Sequence, residues 1–166
     1  MMAKKYSEEE IEMLAEKAAE NAMEHFKHGL NCGECVLQGF LDLGITDYPH
    51  DIVGLVSGFG AGMGATGHTC GAVNAGMVVI GSEKGRKNPY AKPTFEERVD
   101  ELNHPETGIY ARHGDYIRQC FQELGTIECR DLCIAYPSFH SKERARNCKR
   151  IIGIAAKLAV RAALKE

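Results

Sequence analysis

The sequence predicts an all-α protein, a compact bundle of six or seven helices around one buried central helix. Three observations carry that prediction. Apolar residues recur at helical spacing in several segments, capping signatures open those segments, and one segment is apolar nearly all round while none alternates as a strand does. The 166 residues fit a single domain, 1–166, and a domain of that size buries about 70% of the surface its unfolded chain exposes. Disulfide staples are therefore not needed for folding.

Ser7 with Glu10 makes a capping box, each side chain answering a backbone N–H of the other residue. Ile11, Leu14, Ala15, Ala18, Ala22 and Phe26 then mark the apolar stripe of a first helix that Gly29 ends. Asn31 with Glu34 opens a second helix, with Val36, Leu37, Phe40, Leu41 and Leu43 on its apolar side and Gly44 as its stop. Pro49 suits the first turn of a short third helix through Ser57. Residues 58–67 hold five glycines, which excludes regular structure and predicts tight turns.

Thr69 caps the next helix, which runs to about Glu83. Ala72, Val73, Ala75, Met77, Val78, Val79 and Ile80 leave it no polar face, so it belongs at the centre of the bundle. A polar loop covers 84–92. Thr94 with Glu97 forms another capping box, and Asn103-His104-Pro105 interrupts the helix it opens. A further helix spans about 107–124. Gly125-Thr126 leads into a short helix over 128–134. After Pro137-Ser138 the last helix starts near Ser141 and carries the stripe Cys148, Ile151, Ile152, Ala155, Leu158, Ala159 and Ala162.

The net charge of −3, from 20 basic and 23 acidic residues, gives no electrostatic reason to expect nucleic acid or an anionic membrane as partner. Trp is absent, so a base-stacking platform is not expected either. Met1-Met2-Ala3-Lys4-Lys5-Tyr6 runs into Glu8-Glu9-Glu10 without an apolar stretch, so no secretory signal is expected. The apolar run 77–80 is too short to span a bilayer and 151–160 carries Lys157, so no membrane insertion is expected. The expected location is the cytoplasm.

Seven cysteines need a reason there: Cys32, Cys35, Cys70, Cys120, Cys129, Cys133 and Cys148. A reducing compartment disfavours a static disulfide framework, and the odd count leaves at least one thiol unpaired. Metal binding, redox cycling and inert burial stay open. Cys32 and Cys35 form a C-x-x-C at a helix start, where unpaired N–H groups and the helix dipole favour a thiolate at Cys32. The plain alternative is two small core residues. Cys70 opens another helix directly after the glycine-rich loop, and Gly71, Ala72, Ala75 and Gly76 would admit either a bulky group or a close-packed helix. Cys129 and Cys133 share a helix face. On spacing alone, Cys148 and Cys120 are ordinary buried cysteines.

Gly62-Met63-Gly64-Ala65-Thr66-Gly67 matches G-x-G-x-x-G, but a dinucleotide fold needs a strand before the loop and a parallel sheet around it. Neither is visible, so nucleotide binding is not expected. His68, two residues before Cys70, could tune or ligate. No C-x-x-C-H occurs, which excludes covalent haem on sequence.

Taken together, these segments resemble the C_GCAxxG_C_C family of small redox-active proteins. The resemblance rests on Asn31-Cys32, Ser57-Gly58-Phe59-Gly60-Ala61-Gly62-Met63-Gly64, Cys70-Gly71-Ala72-Val73-Asn74-Ala75-Gly76, Gly125-Thr126-Ile127-Glu128-Cys129-Arg130-Asp131-Leu132 and Cys148. It runs from the first helix to the end, with 95–114 longer than the family pattern. The motif's closing glycine is Ala75 here, with Gly76 one place on. A weaker similarity to the non-haem part of split-Soret cytochromes raises an iron–sulfur cluster.

The resemblance implies a site made of Cys32, Cys70, Cys129 and Cys148, and it overrides the plain reading of Cys148. It does not include Cys35, Cys120 or Cys133. The four thiols would either exchange disulfides or hold an iron–sulfur cluster. Backbone groups of Gly62, Gly64 and Gly67, with His68, would stand beside the thiolates or cluster sulfides. Zinc held by the same thiols, without disulfide turnover, is one rival. A structural dimer with inert cysteines is another. A homodimer is expected because several helices carry more apolar face than one domain covers. The redox partner, the substrate and the reaction are not legible.

Overall fold

The computed structural model describes residues 5–166. Met1, Met2, Ala3 and Lys4, on which part of the signal-peptide reading rests, lie outside the described residues. The chain folds as α1 (Glu8–Lys27), α2 (Cys32–Leu41), a 3₁₀ segment (His50–Phe59), α3 (Gly71–Lys84), α4 (Phe95–Asn103), α5 (Ile109–Leu124), α6 (Cys129–Cys133) and α7 (Lys142–Leu164). The fold is all-α. The described residues contain no strand, only an isolated antiparallel bridge between Thr69 and Glu128. Among them no helix is long and apolar enough to cross a membrane.

The capping boxes form as their residues predict. The Glu10 N–H donates to Ser7 Oγ at 3.2 Å and the Ser7 N–H to Glu10 Oε2 at 2.8 Å. Asn31 Oδ1 accepts from the N–H groups of Gly33 and Glu34 at 2.9 and 3.1 Å, while Glu34 Oε2 accepts from the Asn31 N–H. This cap fixes the start of α2, and so the position of Cys32.

α1 packs against α2 and α7 through Ile11, Ala15, Ala18 and Ala22. At Gly39 a side chain would meet the Ala22 nitrogen at 2.8 Å, so α1 and α2 touch backbone to backbone. α3 contacts α2, α5, α7 and the 3₁₀ segment, with Ala72, Val73, Ala75, Gly76, Val79 and Ile80 buried. It occupies the centre as expected and shares it with α7, which contacts α1, α2, α3 and α5. Arg161 of α7 grips Glu12 of α1 with two hydrogen bonds, at 2.8 and 2.6 Å.

Two local expectations are corrected. The third helix is 3₁₀, running to Phe59 rather than Ser57. Val53, Val56 and Phe59 turn toward the core three residues apart, the period of a 3₁₀ helix, while Leu55 stays 71% exposed. Thr69 does not cap α3; Cys70 occupies the N-cap, without a side-chain cap bond. The segment 68–70 is instead drawn against 127–129. The Cys70 N–H donates to Ile127 O and the Cys129 N–H to His68 O, both at 2.8 Å, and Thr69 Oγ1 donates to Glu128 Oε1 at 3.3 Å.

Candidate functional site

Five of the cysteines line one cavity of about 390 Å³. Cys32 opens α2, Cys70 caps α3, Cys129 and Cys133 bound α6, and Cys148 lies in the second turn of α7. Phe26, Leu132, Phe139, Ile151 and Ile152 supply apolar wall, and Arg144 is the cationic side chain in the lining. The cavity thus gathers all four residues of the expected site. Cys35 and Cys120 are fully buried elsewhere. The Cys35 thiol donates to Leu30 O at 3.5 Å, and Cys120 sits beside Tyr116.

The glycine-rich loop forms the rim beside Cys32. Ala61, Met63 and Ala65 adopt left-handed φ values of 52°, 62° and 63°, alternating with Gly62 and Gly64 at 76° and 68°. A left-handed non-glycine residue costs about 1–2 kcal/mol, so the loop stores strain next to the thiols. The coil is held by the Met63 N–H on Phe59 O at 3.1 Å and the Ala65 N–H on Gly60 O at 3.0 Å.

Two glycines set the closeness of approach. A side chain at Gly71 would collide with Phe59 O and lie 2.7 Å from Cys32 Sγ. At Gly62 it would lie 2.5 Å from His68 O and 2.7 Å from Cys129 Cβ. Gly67 backs onto Arg130, whose N–H donates to Gly67 O at 2.9 Å, and Gly64 has only Gly58 O at 4.0 Å. His68 points outward, 3.3 Å from Arg130 and outside the cavity lining.

Cys32 is pulled down to a pKa of about 6. The main cause is the hydrogen bond from Cys70; the N–H groups of Ala61, Gly33 and Ala72 add to it, and burial opposes. Cys70 moves up, because it keeps the proton it offers Cys32, is buried, and faces the Cys32 charge. The two thiols therefore share one proton as a unit. Elsewhere burial dominates. It pushes Cys129 up to about 11, with Cys133 adding to the rise, and Cys148 up to about 12, with Cys133 adding and Arg144 opposing.

Arg144 was not legible as a site residue. Its guanidinium lies 3.8 Å over the Phe139 ring and donates to Phe139 O at 2.9 Å, which aims it into the cavity mouth. Its one sequence signal is its place four residues before Cys148. Cys133 carried a helical-pair signal with Cys129 but no vote from the resemblance. Thiolate and imidazole donors suit zinc or iron. Among the described residues, however, no three Cys, His, Asp or Glu side chains are grouped to hold an ion, so the arrangement does not fit a mononuclear metal centre.

One family model matches residues 30–162, and its description is "Putative redox-active protein (C_GCAxxG_C_C)". Comparison with curated proteins and with solved structures gave no match, so the similarity to split-Soret cytochromes gains no support from them.

Proposed function

The chain belongs to the C_GCAxxG_C_C family, and from that premise we propose that it performs thiol–disulfide exchange, with Cys32 as the attacking thiolate and Cys70 as the resolving thiol. The observation that carries this reading is the cradle around Cys32. Three backbone N–H groups and the Cys70 thiol converge on its sulfur at the edge of a thiol-lined cavity. A thiol with a pKa of about 6 is mostly thiolate at neutral pH, while it remains nucleophilic enough to attack.

The reaction balances on these two residues. The Cys32 thiolate attacks one sulfur of a substrate disulfide; that S–S bond breaks and one half leaves as thiolate. Cys70 then attacks Cys32 Sγ, the mixed disulfide breaks, and the second half leaves with the Cys70 proton. Two electrons pass from the Cys32–Cys70 dithiol to the substrate. The buried, proton-holding state of Cys70 suits the second step, since Cys70 should react only with the sulfur beside it. Cys129 and Cys148 line the same cavity. A cytoplasmic location, where thiols are kept reduced, is part of the proposal. A homodimer remains part of the proposal; exposed Tyr90, Phe95 and Tyr110 offer apolar surface for it.

The test is a pH titration of Cys32 in protein purified without oxygen, by alkylation rate and thiolate absorbance, alongside iron, zinc and acid-labile sulfide counts. The expected result is a midpoint near 6, absent in Cys32→Ser, and a metal-free protein that forms a Cys32–Cys70 disulfide. A Cys32 midpoint near the ordinary value of 9.0, or stoichiometric iron and sulfide lost on replacing Cys32, overturns the exchange reading.

A further inference from the structure

Cys133 falls outside the family set, yet it lines the same cavity as the other four thiols. Its position is tied to α7. Asn147 Nδ2 donates to Leu132 O at 3.0 Å, and the residues that follow these two partners are Cys148 and Cys133. Cys133 lines the cavity beside Cys148 on α7, Cys129 on its own helix and the Arg144 guanidinium, and its charge acts on the ionisation of all three. Cys148 also feels the charge of Cys32, which lines the same cavity.

We infer that Cys133 and Cys148 form a second dithiol centre, which exchanges its disulfide with the Cys32–Cys70 pair across the cavity. The inference rests on the exchange reading of Cys32 and Cys70. Cys148 is the partner rather than Cys129 for a geometric reason. Residues four apart on an intact helix hold their Cβ atoms about 5–6 Å apart, beyond the roughly 3.5–4.5 Å that a disulfide spans. A bond between α6 and α7 carries no such restriction.

The transfer needs no outside reactant. The Cys32 thiolate attacks Cys148 Sγ of a Cys133–Cys148 disulfide. That bond breaks, and Cys133 leaves as a thiolate beside the Arg144 guanidinium, which stabilises it. Cys70 attacks Cys32 Sγ, the Cys32–Cys148 bond breaks, and Cys148 leaves with the proton of Cys70. Two electrons pass from the near pair to the far pair, and charge and protons are conserved. Arg144 acts as a positioning and charge-stabilising residue for this step.

The experiment equilibrates the full chain in glutathione redox buffers, quenches with an alkylating agent, and maps disulfides by mass. The expected wild type reaches two disulfides per chain, Cys32–Cys70 and Cys133–Cys148. Cys133→Ala and Cys133→Ser, checked for native helix content, each reach one, Cys32–Cys70. Cys70→Ala accumulates a Cys32–Cys148 bond. Cys35→Ala serves as a control and keeps both disulfides. If Cys32–Cys70 forms while Cys133 stays alkylated, or pairs only with glutathione or Cys129, the second centre is overturned and the exchange reading stands. If Cys133–Cys148 forms but Cys32–Cys70 never does, the exchange reading itself fails, and the transfer with it.

Discussion

On the α2–α3 wall Cys32 is held at a pKa of about 6, whereas across the same cavity Cys148 is pushed up to about 12. The difference lies in where each residue sits on its helix. Cys32 is the first residue of α2, next to the start of α3 and to a coiled loop, so backbone N–H groups are free to point at it. Cys148 lies in the second turn of α7, where N–H groups are spent on the helix itself, and only the Arg144 side chain opposes burial. A fixed cradle of main-chain dipoles and a shared proton outweigh burial; one flexible cation does not. The cavity thus offers a thiolate at Cys32 and protonated thiols at Cys129 and Cys148.

The sharpest way to break the contrast is to remove the Cys32 thiol and the Arg144 cation in turn. Cys32→Ser should lower disulfide-exchange rate by about 10³-fold or more, the scale of losing a nucleophile. Arg144→Gln should leave the Cys32 midpoint near 6 and make Cys129 and Cys148 less acidic, read from residue-resolved alkylation. If Arg144→Gln moves Cys32 as much as Cys148, the walls are one electrostatic unit and the contrast fails.

Gly71→Ala drives a methyl group into Phe59 O and to within 2.7 Å of Cys32 Sγ before relaxation. Overpacking of this kind costs about 1–3 kcal/mol, measurable by denaturant unfolding, and the Cys32 midpoint should rise as the cradle opens. A variant as stable as the parent with its midpoint unmoved would show that the cradle is looser than drawn.

The near pair should also make stability depend on pH. Between about 6 and 9 the folded pair holds one proton while the unfolded thiols hold two, so stability rises with pH, by at most about 1.4 kcal/mol per unit. Above 9 the unfolded thiols lose their protons while Cys70 keeps its own, and the contribution falls again. Unfolding curves of the parent and of Cys32→Ser/Cys70→Ala across this range should differ by a peak near pH 9. The smallest effect belongs to Ala61→Gly, which should stabilise by about 1 kcal/mol by releasing the left-handed strain while the midpoint stays near 6.

The helical framework was open to reading because it rests on local signals. Ser7, Asn31 and Thr94 cap where their side chains can, and the apolar run from Ala72 to Ile80 has no face to show to water. Thr69 misled because its rival partner, Glu128, is remote in sequence and reaches it through the 68–70 and 127–129 bridge. The 3₁₀ segment, bounded by His50 and Phe59, needed a distinction between periods of about 3.0 and 3.6 over only ten residues. In the site, Cys148 looked like stripe, and only the resemblance drew it to the other cysteines. Cys133 and Arg144 escaped because their meeting depends on how α6 lies against α7, which no local pattern encodes. The left-handed Ala61, Met63 and Ala65 escaped because composition marks a turn without assigning its handedness residue by residue.

Gly76 carries a consequence for relatives of this chain. A β-carbon there would collide with the hydroxyl of Tyr116, whose O–H donates to Val73 O at 3.2 Å in the buried core. The one-place shift of the motif glycine, with Ala at 75 and Gly at 76, is thereby matched to a tyrosine on α5. Positions 76 and 116 behave as a lock and key cut together. A homologue with a side chain at 76 has to give up the tyrosine at 116, and one that keeps the tyrosine has to keep the glycine. Because the ring carbon that bears the hydroxyl would also lie 2.4 Å from that β-carbon, the test pairs Gly76→Ala with Tyr116→Leu, singly and jointly, and the linkage shows as a double variant less damaged than the sum of its parts.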